Sequence, residues 1–223
     1  MTLEDRGNFD GSSDVIAMME TCRAMRYFRP DPVPDELIER VVYAASRAPS
    51  PANSQAWEFV VVKERATKQK LADLFLPRLA AAWTEQDLHP DAPDSAMRRG
   101  VLNLAASLPD IPVVIFVGGV PLYPPHQPDE HFLWSTLYPA AQNLVVAARS
   151  LGLGTTYTQF QGIDEAAVKE MLGFPAAARL AATIPLGWPA RPFGPVRRRP
   201  VSEILHWERF GGRVADAQLG DPS

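Results

Sequence analysis

Apolar residues recur at helical spacing in several stretches of the chain and run consecutively in others. Leu37, Ile38, Val41 and Ala45 mark one face of a predicted helix. The same spacing predicts helices over 14–23, 67–82, 95–107, 131–150 and 164–172. Consecutive apolar, β-branched residues predict strands over 58–62, 111–117 and 180–187, and a further strand after Gly154. This mixture favours an α+β domain with a mixed β-sheet surrounded by helices.

Capping residues and prolines locate the ends of these elements. Asp164 is a predicted N-cap, and Gly173 closes the helix that follows it. Pro139 lies inside helix 131–150 and predicts a kink or a boundary between two segments. We expect residues 1–13 to form a flexible N-terminal arm, 14–210 the domain and 211–223 a flexible tail.

The C-terminal part of the domain carries large apolar side chains with little predicted helix or strand. They include Ile204, Leu205, Trp207 and Phe210. Such side chains need to be covered, and docking on a second subunit would cover them. We therefore expect residues 190–210 to act as a dimer arm.

Composition narrows the class of protein. The 223 residues are 46% hydrophobic with a net charge of -4, which argues against a nucleic-acid-binding surface. The single cysteine, Cys22, rules out an internal disulfide. The N-terminal residues are too polar for a secretory signal, and no apolar run approaches membrane-spanning length. These features predict a cytoplasmic protein with neither nucleic acid nor membrane as a partner.

Motifs for several common kinds of site are missing. His89 and His126 lack further metal ligands at useful spacing, so we interpret them as surface histidines. The chain contains neither a GxGxxG nor a GxxxxGK[ST] loop, and it has no nucleophile elbow. Chemistry carried by a bound cofactor is the interpretation that remains.

Cations and neutral polar residues form the candidate site. Arg23 and Arg26 are three residues apart and would converge on one anion if their turn is helical, and a second basic cluster covers 197–199. The loop 49–55 joins short polar side chains to two prolines, and a second polar turn covers 156–159. Together they suit a phosphate attached to a flat polar ring. The alternatives are a solvated charged edge for the arginines and ordinary turn chemistry for the loop.

Three motifs, in order along the chain, resemble those of the nitroreductase family of FMN-dependent oxidoreductases. The first is Arg-Ala-Met-Arg-Tyr-Phe at 23–28 followed by Pro-Val-Pro at 32–34. The second is Ala-Pro-Ser at 48–50 with Asn-Ser-Gln-Ala-Trp at 53–57, and the third runs from Gln-Asn-Leu at 142–144 to Leu-Gly-Leu-Gly-Thr at 151–155. The resemblance covers roughly residues 15–210.

The resemblance implies an intertwined homodimer with FMN at the subunit interface. It places Arg23, Arg197 and Arg199 at the FMN phosphate and Arg26 at the pyrimidine edge, where a cation stabilises the reduced ring. Ser50 to Asn53 would come from the other subunit, and Gln55 would lie near the ribityl chain or ring edge. The complete set of implied cofactor contacts is Arg23, Ala24, Arg26, Pro49, Ser50, Pro51, Ala52, Asn53, Gln55, Tyr157, Thr158, Gln159, Arg197 and Arg199.

The chain departs from the family pattern at several of these positions. Ala24 replaces the usual serine, and Cys22 replaces an arginine that often precedes that serine by two positions. The resemblance therefore leaves the two phosphate contacts at these positions open. Pro51 and Ala56 replace the family's usual serine and proline, and the 157–159 turn lacks the Glu-Gly pair of well-known members.

The activity implied by the resemblance is reduction of nitroaromatics, quinones or similar electron-poor acceptors, with NAD(P)H as hydride donor. Both substrates would use one pocket in turn, with no side chain acting as a nucleophile. Candidates for stacking on the acceptor are Tyr123, Phe132, Trp134 and Tyr157, with a core role as the alternative for each. The functional alternatives are a specialised flavin reaction (dehalogenation, flavin-ring cleavage or ring dehydrogenation) and a non-catalytic flavin store or sensor.

Overall fold

The computed structural model describes residues 15–212 of the 223-residue chain. The predicted arm 1–13, the predicted cap at residue 14 and residues 213–223 of the predicted tail lie outside the described part. Its α-helices are α1 (Val15–Glu20), α2 (Asp35–Ala45), α3 (Arg65–Ala81), α4 (Glu85–Leu88), α5 (Ser95–Ala106), α6 (Glu130–Ser150), α7 (Glu165–Leu172) and α8 (Val201–Ile204). Its strands are β1 (Glu58–Val62), β2 (Val113–Gly119), β3 (Gly154–Thr155) and β4 (Arg179–Gly187).

The four described strands form one sheet in the order β1-β2-β4-β3. Every pairing is antiparallel: Val60 pairs with Phe116, and Ile115 pairs with Ile184. The α+β class is confirmed, but the sheet of the described chain is antiparallel where the sequence predicted a mixed one. The long connection through α6 joins two strands of the same direction, β2 and β3, but β4 lies between them, so no parallel pair forms.

The sheet separates two apolar clusters, and β2 contributes to both. Val113, Ile115 and Val117 pack on the cluster that contains α2 and α6. Val114 and Phe116 point to the other face, where α3 and α5 cover them. Because successive strand side chains alternate between faces, a strand buried on both sides reads as a continuous apolar run. This explains why 111–117 showed no alternation of apolar and polar residues.

Helix α6 passes through the core without interruption at Pro139. Leu137, Ala140 and Leu144 are fully buried around it. Proline inside a helix removes one backbone hydrogen bond, at a cost of about 3 kcal/mol. Burial of this apolar face offsets that cost, so the predicted boundary between two segments is not observed.

The caps predicted for α7 are confirmed. The carboxylate of Asp164 accepts a hydrogen bond of 3.1 Å from the Ala167 N–H, and Gly173 takes the left-handed conformation at the other end with φ of 73°. We expect Asp164→Ala to lower the free energy of unfolding by about 1 kcal/mol because the N–H loses its acceptor. Asp164→Asn is the matched control: both variants lose the ion pair with Arg78, but asparagine still caps. Equal losses in urea unfolding would contradict the role of the cap.

The C-terminal segment presents apolar side chains on the outside of the single chain. Val201 is 64% exposed, Trp207 is 48% exposed and Phe210 is 92% exposed. The segment contains only the short helix α8, as its sequence predicted. None of the described helices has both the length and the apolar character needed to cross a bilayer.

Candidate functional site

A cavity lined by arginines lies between α5, the segment 22–27 and the segment 191–198. One part of it, which we call the Tyr27 end, has a volume of about 550 Å³, and the other, the Arg198 end, has about 710 Å³. Arg23, Ala24, Arg26, Ala96 and Met97 line both ends, which makes them two parts of one basin. We call this basin the arginine cavity.

Arg23 and Arg26 reach this cavity from residues 22–27, which form neither helix nor strand, and not from the helical turn on which their predicted convergence depended. The Met25 N–H donates to the Thr155 oxygen at 2.8 Å, and the Thr156 hydroxyl donates to the Met25 oxygen. The segment is thereby attached to the chain at β3. The cavity brings the two arginines together by enclosing the segment, not by periodicity.

Two glycines leave room for these arginine side chains. A Cβ at Gly100 would lie 2.9 Å from Cδ of Arg26, and a Cβ at Gly194 would lie 3.2 Å from Nη1 of Arg23. Gly100 lies in α5, where alanine would otherwise be favoured. Both arginines therefore depend on glycines that are remote from them in sequence.

The arginine cavity is strongly cationic. Burial, and then the neighbouring charge of Arg23, lower the pKa of Arg26 below its ordinary value. Nε of Arg26 is buried and has no hydrogen-bond partner among the described residues. Asp94, at the Arg198 end, is the one carboxylate that lines the cavity within the described part of the chain. A bound anion would satisfy the buried donor and relieve the repulsion between guanidinium groups.

The basic cluster at 197–199 contributes to the Arg198 end. Arg197 and Arg198 line the cavity, and Nη1 of Arg198 donates to the Arg197 oxygen at 2.9 Å. Arg199 is not among the lining residues. The sequence interpretation selected Arg197 and Arg199, so the structure adds Arg198 and places Arg199 outside the cavity wall.

The polar loop 49–55 has a strained backbone. Ala52, Asn53 and Gln55 have φ of 50°, 54° and 49°, in the left-handed region that residues with a Cβ seldom adopt. The hydroxyl of Ser50 accepts a hydrogen bond of 3.2 Å from the Gln55 N–H and closes the loop. Such strain persists where surrounding structure enforces it, and it is concentrated at functional sites.

The structure of the single chain does not bring this loop into the arginine cavity. None of the predicted loop residues (Pro49, Ser50, Pro51, Ala52, Asn53 and Gln55) lines either end. Ala52, Asn53 and Gln55 are exposed at the surface of the chain. Their polar groups are thus available to a neighbouring molecule.

In the turn at 157–159, two predicted contact residues direct their polar side chains to the chain's own backbone. The Thr158 hydroxyl donates to the Thr183 oxygen at 2.7 Å, and Nε2 of Gln159 donates to the Ala181 oxygen at 2.9 Å. These bonds attach the turn to β4. The turn lines neither end of the arginine cavity. These side chains therefore have a structural role in the single chain, and the backbone of Thr158 is likewise paired with that of Thr183.

Aromatic side chains form a partly exposed surface beside this turn. Trp134 and Tyr138 stack with ring centroids 5.6 Å apart, and burial, followed by the proximity of Tyr138, raises the pKa of Tyr157 to about 12. Tyr138 is 44% exposed and was not among the predicted stacking residues. Tyr123 and Phe132 meet edge to face, with ring centroids 5.1 Å apart.

Among the residues that line the Tyr27 end and were not predicted as site residues, four contribute a charge, an aromatic ring or space for Arg26. They are Tyr27, Arg99, Gly100 and Arg191. Arg99 and Arg191 have no local sequence motif around them, so they can be identified as site residues only because the fold brings them to the same cavity. In the part of the chain that the structure covers, no group of three or more His, Cys, Asp or Glu residues is arranged to hold a metal ion.

The chain is similar in sequence and in fold to several known proteins. The 5,6-dimethylbenzimidazole synthase of Rhodospirillum rubrum is 30% identical and covers 86% of this chain and 88% of its own length. The NADH dehydrogenase of Thermus thermophilus is 25% identical, covering 83% of this chain and 91% of its own. A crystal structure of a nitroreductase with bound FMN from Desulfitobacterium hafniense shares the fold, with a TM-score of 0.67 at 22% identity over 88% of this chain and 100% of that one.

A family model extends this similarity over most of the chain. The model described as the nitroreductase family matches residues 20–188, which include the arginine segment, the polar loop and all four described strands. Since the match spans well over half of the chain, this protein belongs to the nitroreductase family.

Proposed function

We propose that this protein is an FMN-dependent oxidoreductase that takes hydride from NAD(P)H and reduces nitroaromatics, quinones or similar electron-poor acceptors. The observation that carries the proposal is the arginine cavity. It contains a buried guanidinium nitrogen without a hydrogen-bond partner, and Asp94 is the one carboxylate among the described residues that line it. A phosphate-bearing cofactor fits this donor set, because planar guanidinium groups bind phosphate oxygens in pairs. FMN would accept a hydride and pass it to the acceptor.

The chain's own residues would hold and orient this cofactor. Arg23, Arg197 and Arg198 would bind the phosphate. Arg26, set deeper in the cavity, would lie at the pyrimidine edge, where its charge favours the reduced and more negative ring. A nitroreductase of the same fold from Desulfitobacterium hafniense has bound FMN, which supports the choice of cofactor.

We further propose that the functional unit is a homodimer. The strained loop 49–55 is exposed and does not line its own chain's cavity, and the apolar side chains at 201–210 are also exposed. A second copy would cover the apolar residues 190–210 and supply Ser50 to Asn53 to the cofactor across the interface. Use of NAD(P)H supports a cytoplasmic location.

The aromatic surface beside the 157–159 turn is a candidate for stacking on the acceptor. Trp134 and Tyr138 are already parallel, and the raised pKa of Tyr157 keeps its phenol protonated well above neutral pH. A protonated phenol can donate a hydrogen bond to a nitro or quinone oxygen. The role is one of binding, and the proton needed to complete reduction would come from water.

We expect the purified protein to show flavin absorption bands that bleach when NADH or NADPH is added without oxygen. Hydride transfer to the ring removes its visible absorption, so bleaching reports the reductive half of the cycle. Reoxidation by a nitrofuran or a quinone under the same conditions would complete the cycle. Flavin bands that persist with both donors would instead favour a store or sensor, and absence of flavin after incubation with FMN would contradict the proposal.

A second candidate function has one observation in its favour. The relative that is 30% identical is a synthase of 5,6-dimethylbenzimidazole, whose dimethylated ring is also present in flavin. Flavin-ring cleavage is therefore the specialised reaction to test first. Chromatography of an aerobic mixture of the protein with reduced FMN would detect that product, and its formation at a rate above that of nitrofuran reduction would displace the first candidate.

A further inference from the structure

Two arginines at the Tyr27 end of the arginine cavity are not among the residues proposed above to contact the cofactor. Arg99 and Arg191 line it together with Arg23 and Arg26, and none of the described residues that line this end is acidic. In the described part of the chain, neither Arg99 nor Arg191 has an ion-pair partner. Four guanidinium groups around one space of about 550 Å³ attract an anion strongly.

Arg191 is positioned before any ligand arrives. Its guanidinium carbon lies 3.8 Å from the centroid of the Tyr27 ring, a cation–π contact. The backbone holds the two residues side by side, because the Ala190 N–H donates to the Tyr27 oxygen at 3.0 Å and the Arg29 N–H donates to the Trp188 oxygen at 2.9 Å. A stacked guanidinium keeps its edge donors in plane and loses little freedom on binding an anion.

Arg99 is anchored from the opposite wall. It lies in α5, and its Nη1 donates to the Leu88 oxygen at 2.7 Å. This bond uses one donor and holds the side chain at the cavity wall next to Gly100, which gives Arg26 its space. Two separate elements thus bring additional cations to the same end.

Two positions where the family pattern has phosphate-binding side chains carry none in this chain. Cys22 and Ala24 stand in place of an arginine and a serine, and both line the Arg198 end. A thiol and a methyl group cannot donate the charge-assisted hydrogen bonds that a phosphate needs. We infer that Arg191 and Arg99 bind the flavin phosphate from the Tyr27 end and supply the hydrogen bonds that Cys22 and Ala24 cannot donate.

This inference rests on the proposed function, and a comparison of FMN with riboflavin tests it. Riboflavin has the same ring and ribityl chain but no phosphate. We expect Arg191→Gln and Arg99→Gln each to weaken FMN binding about tenfold to a hundredfold and to leave riboflavin binding unchanged. Quenching of flavin fluorescence, titrated with the full-length chain stripped of cofactor, measures both affinities.

Two further variants make the result specific. Arg40→Gln removes an equal charge from α2, outside the cavity, and should change neither affinity. Arg191→Lys keeps the charge without the fork and should recover part of the FMN affinity. Equal losses for FMN and riboflavin, or no loss for FMN, would overturn the inference while leaving the proposed cofactor intact. A wild-type chain that binds neither flavin would instead overturn the proposed function.

Discussion

Gly119→Ala is expected to lower the free energy of unfolding by at least about 1–3 kcal/mol, because the added methyl group has no space. An ideal Cβ at Gly119 would lie 1.7 Å from the backbone oxygen of Ala56. The obstacle is backbone, which cannot rotate away as a flexible side chain can. Either the end of β2 or the backbone at residue 56 has to move.

The displaced backbone connects directly to the candidate site. Ala56 follows Gln55, the last residue of the strained loop, whose φ is 49°. We therefore expect the same substitution to weaken cofactor binding as well as stability. Gly162→Ala is the matched control, since no described atom lies within 4 Å of its Cβ position. Urea unfolding of both variants measures the difference, and similar midpoints would show that the contact at Gly119 is easily relieved.

Arg26→Gln is expected to lower the midpoint potential of the bound flavin by about 30–60 mV. A charge-assisted hydrogen bond contributes about 1.5–3 kcal/mol, and about 1.4 kcal/mol corresponds to 30 mV for a two-electron couple. The proposed position of Arg26 at the pyrimidine edge makes that contribution larger for the reduced ring. Equilibration with a reference dye under anaerobic conditions gives the potential.

Gly100→Ala tests the same contact without removing a charge. The new methyl group would lie 2.9 Å from Cδ of Arg26 and push that side chain aside, while the helix gains a residue of higher propensity. We expect the potential to fall in the direction of the Arg26→Gln variant with little loss of stability. Arg26→Lys should retain most of the wild-type potential. A potential unchanged in both Arg26→Gln and Gly100→Ala would place Arg26 away from the ring.

The elements predicted from local patterns agree with the structure to within a few residues. Strand 58–62 is observed with those bounds, and the helices predicted over 131–150 and 164–172 are observed as α6 and α7. Caps, spacing and β-branched runs are local properties, so the sequence states them directly. The boundary between two segments that was expected at Pro139 is not observed. Burial of the apolar face of α6 offsets the lost backbone hydrogen bond, and this burial depends on the whole core.

Some residues of the candidate site could be selected from sequence motifs, and others could be recognised only in the folded structure. Arg23, Arg26 and the loop 49–55 stand in motifs that the chain displays in order, and resemblance alone was enough to select them. Arg198, Arg99 and Arg191 became visible only when the cavity was assembled. Arg199 does not line the cavity of the single chain, so its contact with the phosphate stays a prediction.

The sequence by itself determined the helices and strands, the ends that are capped, and the family, because each depends on neighbouring residues or on an ordered motif. The tertiary structure decided that the sheet is antiparallel, and it decided which cations share one cavity. It also showed that Gly100 and Gly194 make space for Arg26 and Arg23. These properties depend on packing between segments far apart in the chain, where each position is set by the sum of many interactions.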